Sequence, residues 1–261
     1  DVDGTTAIAT VFSFFSEYTQ RIMYYTPNRY TEGYGISSKG IAEAARLGVS
    51  LIIALDCGIK SVDKVAEAAT LGIDFIICDH HLPGHEIPAA VAVLDPKRDT
   101  CAYPYKELSG CGIGFKLIQA YAQQHSLPEQ TYLRYLDLVC VSIGADIVPI
   151  TGENRILAYH GLQKINSEPG PGLAKLLEVS GITRKLTITD VVFILAPRIN
   201  AAGRMEDASH AVKLLISAEA ATDIVQHAAK LHDLNADRKD LDRDITRHAL
   251  EMLETLPNLA T

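Results

Sequence analysis

Residues 74–84 read DFIICDHHLPG, so that a short apolar run ends on one carboxylate and two imidazoles before a Pro-Gly break. An apolar run of four to eight residues that turn residues bound is typical of a strand buried on both faces. Such a strand places Asp79, His80 and His81 at its carboxyl end. In open α/β sheets, ligands bind outside the carboxyl ends of the strands.

The segments around this strand alternate between helical and strand patterns. In chain order they predict a helix over 5–19, a strand over RIMYYT (21–26), a helix over GIAEAARLG (40–48), a strand over SLIIALD (50–56), a helix over VDKVAEAATLG (62–72), the strand over 74–79 and a strand over AAVAVLD (89–95). This alternation predicts an α/β fold in which crossover helices connect the strands of a parallel sheet.

From about residue 117 the strand signals give way to helical spacing, and residues 217–255 read as one long, mostly polar helix. A helix of this kind either bridges to another domain or forms a solvated surface. We expect an α/β metal-binding core over 1–150, a helical part of the same lobe over 151–216, and a connecting helix over 217–261 that leads to a second lobe. The chain starts with Asp1 rather than Met, so we expect the start of the core to be truncated.

Composition and charge exclude some classes of protein. The 261 residues carry a net charge of −8, which argues against a protein that coats phosphates over its whole surface but allows a local basic groove. Five cysteines occur without a CxxC pair, which is typical of reduced thiols and a cytoplasmic location. No apolar run reaches the roughly 18 to 20 residues of a membrane span, and no signal peptide is recognised, so we expect no membrane partner.

Carboxylates also end other predicted elements or open the chain. If the segment is extended, Asp1 and Asp3 point to the same side of it. A single Asp after a strand is commonly a cap or a turn residue, so the prediction depends on the whole set. Its members are Asp1, Asp3, Asp56, His80, His81 and Asp146. Carboxylate oxygens with one or two imidazoles suit Mn²⁺ or Mg²⁺, and the imidazoles favour Mn²⁺.

Several motifs carry a resemblance to a known family. DVDGTT, ALDCGI and DHH occur in the order typical of the DHH phosphoesterase superfamily. Further stretches resemble its RecJ branch of single-strand-specific 5′→3′ DNA exonucleases: PNRYTEGYG (27–35), LSGCGIGFKL (108–117), GADIVPITGENR (144–155) and APRINAAGRM (196–205). The resemblance spans almost the whole chain and implies a parallel-sheet catalytic lobe.

The resemblance also implies a role for each matching residue. Two Mn²⁺ or Mg²⁺ ions are bound, and Asp56 bridges them. Asp79 orients His80 from behind the metal ligands. The remaining roles follow as a list: Asp1, Asp3, Asp56, His80, His81 and Asp146 bind metal, Asp56, His80 and His81 are catalytic, and Arg29, Arg204 and Asn200 bind substrate phosphate. Arg198 and Arg204 could instead pair with carboxylates and hold their loop.

The implied function is the hydrolysis of single-stranded DNA from its 5′ end to mononucleotides, in DNA repair and recombination. Single-stranded DNA is then the substrate, and a single-strand-binding protein or a helicase is a candidate partner. Another DHH enzyme remains an alternative, such as an oligoribonuclease, a cyclic-dinucleotide phosphodiesterase or a family II pyrophosphatase. A non-catalytic replication factor built on the same lobe is a second alternative, of a different class.

Overall fold

A computed structural model describes residues 1–218 and 222–255 of the chain. The fold is α/β, with a small parallel sheet followed by many helices, as predicted. In chain order the elements are α1 (Val2–Phe15), α2 (Ser38–Arg46), β1 (Leu51–Leu55), α3 (Val62–Thr70), β2 (Asp74–Cys78), β3 (Ala92–Leu94), α4 (Gly110–Gln124), α5 (Gln130–Leu133), α6 (Leu136–Asp146), α7 (Gly152–Ser167), α8 (Pro171–Val179), α9 (Ile188–Asp190), a π-helix (Val191–Leu195), α10 (Ala196–Met205), α11 (Ser209–Ile216) and α12 (Ile224–Thr255).

The sheet has three parallel strands in the order β1-β2-β3. Leu55 at the end of β1 is in register with Cys78 at the end of β2. The next backbone amide continues this pairing, because the Asp56 N–H donates to the Cys78 carbonyl at 2.9 Å. The register therefore brings the residues that follow β1 and β2 to the same edge of the sheet.

Two predictions for the first 26 residues are wrong. RIMYYT (21–26) forms no strand, and among the described residues it has no ladder partner. Its side chains pack locally instead, as the Tyr24 ring does against Phe12 with ring centroids 5.3 Å apart. Asp1 and Asp3 are not in an extended segment either. The Asp1 carboxylate accepts from the Gly4 N–H at 2.9 Å and caps α1, so the helix begins at Val2 and Asp3 lies in its first turn.

The core consists of two clusters of buried apolar side chains. The smaller one fills the space between the sheet and helices α2 and α3, and includes Ile41, Val65 and Phe75. The larger one runs from α1 to the first part of α12 and includes Phe14 and Leu231. Because it contains residues from both 1–150 and 151–216, these two segments share one core.

Helix α12 changes character along its length. Its first part is packed on the core, with Ile224, Ala228 and Leu231 buried. From residue 239 to 253 every side chain is exposed, including those of Leu241 and Ile245. The rest of the predicted segment 217–261, at 219–221 and 256–261, lies outside the described residues, and the domain boundaries stay predictions. None of the described helices is long and apolar enough to span a membrane.

Helices α6 and α7 approach each other closely at Gly161. A methyl group added there would lie 2.2 Å from the Leu136 carbonyl oxygen and 2.5 Å from the Cys140 Cβ. Both contacts are with the body of α6, so a larger side chain has to push the two helices apart. Helix α6 ends at Asp146. The contact at Gly161 therefore helps to set the position of α6, and with it the position of Asp146.

We predict that Gly161→Ala lowers the free energy of unfolding by about 1–3 kcal/mol, the usual range for an overpacked core. Urea unfolding followed by circular dichroism measures the change. Gly203→Ala in α10 is the matched control, because its added methyl group would meet the Ala208 Cβ at an ordinary 3.4 Å and alanine favours a helix. Equal stability of the wild type and Gly161→Ala would contradict the close packing.

Candidate metal centre

Three carboxylates surround the His80 imidazole at the carboxyl edge of the sheet. The His80 Nε2 atom lies 3.2 Å from an Asp56 oxygen, 3.5 Å from an Asp146 oxygen and 3.7 Å from an Asp3 oxygen. Neither ring nitrogen of His80 makes a hydrogen bond within the described chain, and the Asp56 Oδ1 atom is also without one. All three of these atoms are buried. The structure thus brings together side chains of metal-binding type whose buried polar atoms do not form hydrogen bonds with one another.

Two overlapping groups in this cluster could each hold a metal ion. Asp56, His80 and His81 form one group, and Asp3, His80 and Asp146 form the other. Within each group, one potential ligand atom per residue lies within 4.8 Å of the others. Since His80 belongs to both, the two positions are neighbours, and five of the six predicted ligands come together.

Asp1, the sixth predicted ligand, lies beside these groups but belongs to neither. Its Oδ1 and the Asp56 Oδ2 both lie 3.4 Å from the point where a Gly4 Cβ would stand. The same Oδ1 accepts from the Gly4 N–H as the helix cap. Asp1 therefore caps α1 and lies close to the Asp56 carboxylate.

Asp56 is held in an unusual conformation. Its φ angle is 60°, in the left-handed region, which few residues other than Gly, Asn and Asp adopt. Gly110 makes room for it: a Cβ there would come within 2.6 Å of both the Cβ and Oδ1 of Asp56. Strained backbone of this type clusters at functional sites.

Asp3 is fixed by the start of α4. Its Oδ2 accepts from the Gly110 N–H at 2.7 Å, and its Oδ1 accepts from the Cys111 N–H at 2.6 Å. The Ser142 hydroxyl in α6 also donates to Oδ1, at 2.7 Å. These donors lie 107 to 139 residues away in sequence. Asp3 is only 1% exposed, so its carboxylate joins α1, α4 and α6 inside the protein.

Asp79 orients His81 rather than the His80 ring, which corrects the sequence-based role. The Asp79 Oδ1 lies 2.7 Å from the His81 Nδ1 and accepts from the backbone N–H of both histidines. Its Oδ2 accepts from the Ile59 N–H at 2.9 Å. The contact occupies Nδ1 of His81 and leaves Nε2 to face the site, as carboxylates commonly arrange for a metal-binding histidine.

The crowding of acids shifts their pKa values. Burial, and then the charges of Asp3 and Asp146, raises the pKa of Asp56 to about 9. Burial and the charge of Asp3 also raise the pKa of Asp146. For Asp79, burial opposes ionisation, but the hydrogen bonds from Ile59 and His81 outweigh it and lower the pKa. The crowding therefore opposes the ionisation of Asp56 and Asp146, and a bound cation would relieve it.

Two of the predicted phosphate-binding residues, Arg29 and Arg204, lie on segments that contact each other. The loop that carries Arg29 is tied to α10, because the Tyr30 hydroxyl donates to the Arg204 carbonyl at 2.5 Å. When the Asn200 amide is oriented with its oxygen toward the Arg204 guanidinium, this oxygen accepts from Nη2 of Arg204 at 3.1 Å and from Nε at 3.3 Å.

Arg204 forms no ion pair with any carboxylate of the described residues. Its guanidinium faces Asn200 instead, so the alternative in which Arg204 pairs with an acid does not occur here. Arg198 also forms no ion pair within the part of the chain that the structure describes, and it donates to the Ile194 carbonyl at 2.8 Å.

Sequence reasoning missed the groups that position the acids. The backbone N–H groups of Gly110 and Cys111 and the buried hydroxyls of Ser109 and Ser142 surround Asp3. Two signals were available: Ser-Gly before an apolar segment is typical of a helix start, and Ser142 is the one polar residue in LVCVSIGA (138–145). Neither signal says which carboxylate, more than 100 residues away, is the partner.

A comparison with models of known protein families shows to which family the chain belongs. The model for the DHH family, N-terminal domain, matches residues 1–143, more than half of the chain. The chain belongs to the DHH family.

This DHH chain is also similar to proteins named single-stranded-DNA-specific exonuclease RecJ. It is 38% identical over 271 residues to the protein of Dickeya dadantii, covering 98% of this chain and 46% of the relative. It is 38% identical over 255 residues to that of Bacillus subtilis, covering 97% and 32%. The chain thus spans less than half the length of these two curated relatives.

Solved structures of RecJ exonucleases are also similar to this chain. A crystal structure of exonuclease RecJ bound to manganese superposes with a TM-score of 0.87 at 32% identity, over 97% of this chain and 63% of the other. RecJ from Thermus thermophilus in complex with Mn²⁺ gives 0.82 at 30% identity, over 96% and 36%. The predicted fold class and family are confirmed.

We predict that Ser142→Ala in this DHH protein lowers the free energy of unfolding by about 1.5–3 kcal/mol, since it removes a hydrogen bond to a buried carboxylate. Urea unfolding at neutral pH without added metal measures it. Ser167→Ala is the control, because the Ser167 hydroxyl donates to the Gln163 carbonyl on an exposed surface. If both variants match the wild type, Ser142 does not hold Asp3 in place.

Proposed function

We propose that this chain is the catalytic lobe of a divalent-metal-dependent exonuclease that hydrolyses single-stranded DNA from its 5′ end to mononucleotides, in DNA repair and recombination. The observation that carries the proposal is the convergence of Asp3, Asp56 and Asp146 on the His80 Nε2 atom at 3.2–3.7 Å. The relatives named as RecJ exonucleases support the choice of substrate.

The residues fit a pair of Mn²⁺ or Mg²⁺ ions. Carboxylate oxygens with one or two imidazoles are a donor set for Mn²⁺, and for Mg²⁺ where oxygens dominate. The buried atoms without a hydrogen-bond partner, on Asp56 and His80, are the ones that a cation would satisfy. The similar RecJ structures were solved with Mn²⁺ and with Mg²⁺.

We assign the metal ligands from this geometry and from the family motifs. In the assignment from the family motifs, Asp56, which lies 3.2 Å from His80 and close to Asp1, would be the carboxylate that the two ions share. The further ligands are Asp1, Asp3, His80, His81 and Asp146. When bound, such ions lower the pKa of a water and neutralise the charge that develops on the phosphate oxygens.

The protein's own residues orient the reactants. The Asp3 carboxylate is fixed by three donors before any ion binds, so the centre is preorganised. Asp79 fixes the ring of His81 through Nδ1. Arg29 and Arg204, whose segments are joined by the hydrogen bond from the Tyr30 hydroxyl to the Arg204 carbonyl, bind phosphates of the strand and place the scissile bond at the metal centre, and Asn200, the third phosphate-binding candidate, holds the Arg204 guanidinium.

The proposal also assigns a role to each part of the chain. Residues 1–150 and 151–216 act as one catalytic lobe, which their shared buried cluster supports. Helix α12 connects this lobe to a second one, which the exposed Leu241, Ile245 and Leu250 side chains support.

The partners and the location are also proposed. A single-strand-binding protein or a helicase is a candidate partner because either presents a single strand. We place the enzyme in the cytoplasm, and the five cysteines, all free thiols, support a reducing compartment.

We predict that Asp56→Asn abolishes Mn²⁺-dependent hydrolysis of 5′-phosphorylated single-stranded DNA, because it removes a carboxylate ligand of the proposed metal centre. Asparagine tolerates the left-handed backbone of Asp56, so the variant keeps its fold. Release of mononucleotides with and without Mn²⁺ measures the effect, and circular dichroism checks the fold.

The same assay separates this proposal from other DHH activities. Asp95→Asn is the matched control: Asp95 also follows a strand of the sheet, but it lies in neither metal group and its side chain accepts from the Lys97 N–H. We expect its activity to match the wild type. Undiminished hydrolysis by Asp56→Asn would overturn the metal assignment. A wild type that cleaves dinucleotides or pyrophosphate but not single-stranded DNA would overturn the substrate.

A further inference from the structure

The loop over residues 27–35 carries Arg29 but has no regular secondary structure. Its far end lies beside the residue that follows Asp56, because a Cβ on Gly35 would lie 3.9 Å from the Cβ of Cys57. Gly33 and Gly35 both have φ near +80°, so the loop turns twice through the left-handed region. A loop without a ladder or a helix needs other contacts to hold its shape.

Glu32 supplies those contacts from inside the loop. One carboxylate oxygen accepts from the Asn28 N–H at 3.0 Å, and the other accepts from the hydroxyls of Tyr25 at 2.6 Å and Ser37 at 2.7 Å. Lys39 lies 3.7 Å away. The Glu32 side chain is only 5% exposed. A single carboxylate thus ties the residue before Arg29 to the segments on both sides of the loop.

Asn28 extends this arrangement toward Arg29. Its side-chain oxygen accepts from the N–H groups of Tyr30 and Thr31 at 3.0 and 3.2 Å, which closes the turn around Arg29. Arg29 then lies over the Tyr34 ring, with its guanidinium carbon 4.7 Å from the ring centroid. The position of the guanidinium therefore follows from the position of the turn.

We propose that Glu32 is a positioning residue, which holds the 27–35 loop in the conformation that presents Arg29 to a phosphate of the DNA strand beside the metal centre. This inference rests on the proposed function. Glu32 itself does not contact the strand; it acts through Arg29.

The test compares Glu32→Ala, Arg29→Ala and the double variant in the full chain. The probe is a dye-labelled, 5′-phosphorylated oligodeoxynucleotide with phosphorothioate linkages, and its dissociation constant is measured by fluorescence anisotropy. We expect Glu32→Ala to weaken binding about tenfold, the scale at which loss of an orienting partner acts on a binding site. Because both changes act on the same contact, the double variant should bind no worse than Arg29→Ala.

Two further measurements separate positioning from general destabilisation. In the cleavage assay we expect Glu32→Ala to raise KM by a similar factor with little change in kcat, since Arg29 binds the strand and the metals do the chemistry. Tyr25→Phe removes one of the three hydrogen bonds and should show a smaller shift in the same direction. If Glu32→Ala fails to fold, Tyr25→Phe tests the inference in its place.

Glu67→Gln is the matched control, because Glu67 accepts from Ser38 and Lys64 rather than from a residue of the loop over 27–35. Its affinity should equal that of the wild type. An unchanged affinity in Glu32→Ala and Tyr25→Phe, or losses that add to that of Arg29→Ala, would overturn the inference, as would a wild type that does not bind the probe. Tight binding by the wild type without hydrolysis would contradict only the proposed function.

Discussion

The Asp3 carboxylate accepts hydrogen bonds from the first two residues of α4 and from Ser142 in α6, at 2.6–2.7 Å. This buried contact holds three helices at the edge where strands β1 and β2 end. Asp56, His80 and Asp146 can meet there only because α4 and α6 stand at fixed distances from the sheet. The same elements also hold the Asp56 and Asp146 carboxyl groups together, although burial and neighbouring charges raise the pKa of both.

The carboxyl groups of Asp56 and Asp146 in the metal centre are held in fixed positions, although burial and neighbouring charges oppose their ionisation. Asp56 combines a left-handed backbone with a pKa raised to about 9 by burial and neighbouring acids. Gly110 is the residue that lets α4 approach it, and any side chain there would collide with the carboxylate. Such a cluster contributes little to the stability of the metal-free chain, and it is maintained by the packing around it. This is the pattern expected of a site whose structure serves cation binding.

The sequence predicted the strands of the sheet and the residues at their ends because buried parallel strands are short apolar runs. It also predicted the family, since the motifs occur in the right order. It failed at RIMYYT (21–26), where a short run of apolar and aromatic residues favours a strand locally but the ring of Tyr24 packs on α1. It also could not show that Asp79 serves His81 rather than the His80 ring, because both histidines follow it directly and only the geometry tells them apart. The contacts of Asp3 and Glu32 depend on distant or irregular segments, for which spacing gives no signal.

Anomalous diffraction at the manganese edge, on crystals of the chain soaked in Mn²⁺, tests the central claim most directly. The account predicts two peaks about 3.5–4 Å apart, one within bonding distance of Asp56 and His80 and the other within bonding distance of Asp3 or Asp146. Peaks elsewhere, or none at this edge of the sheet at saturating Mn²⁺, would contradict it.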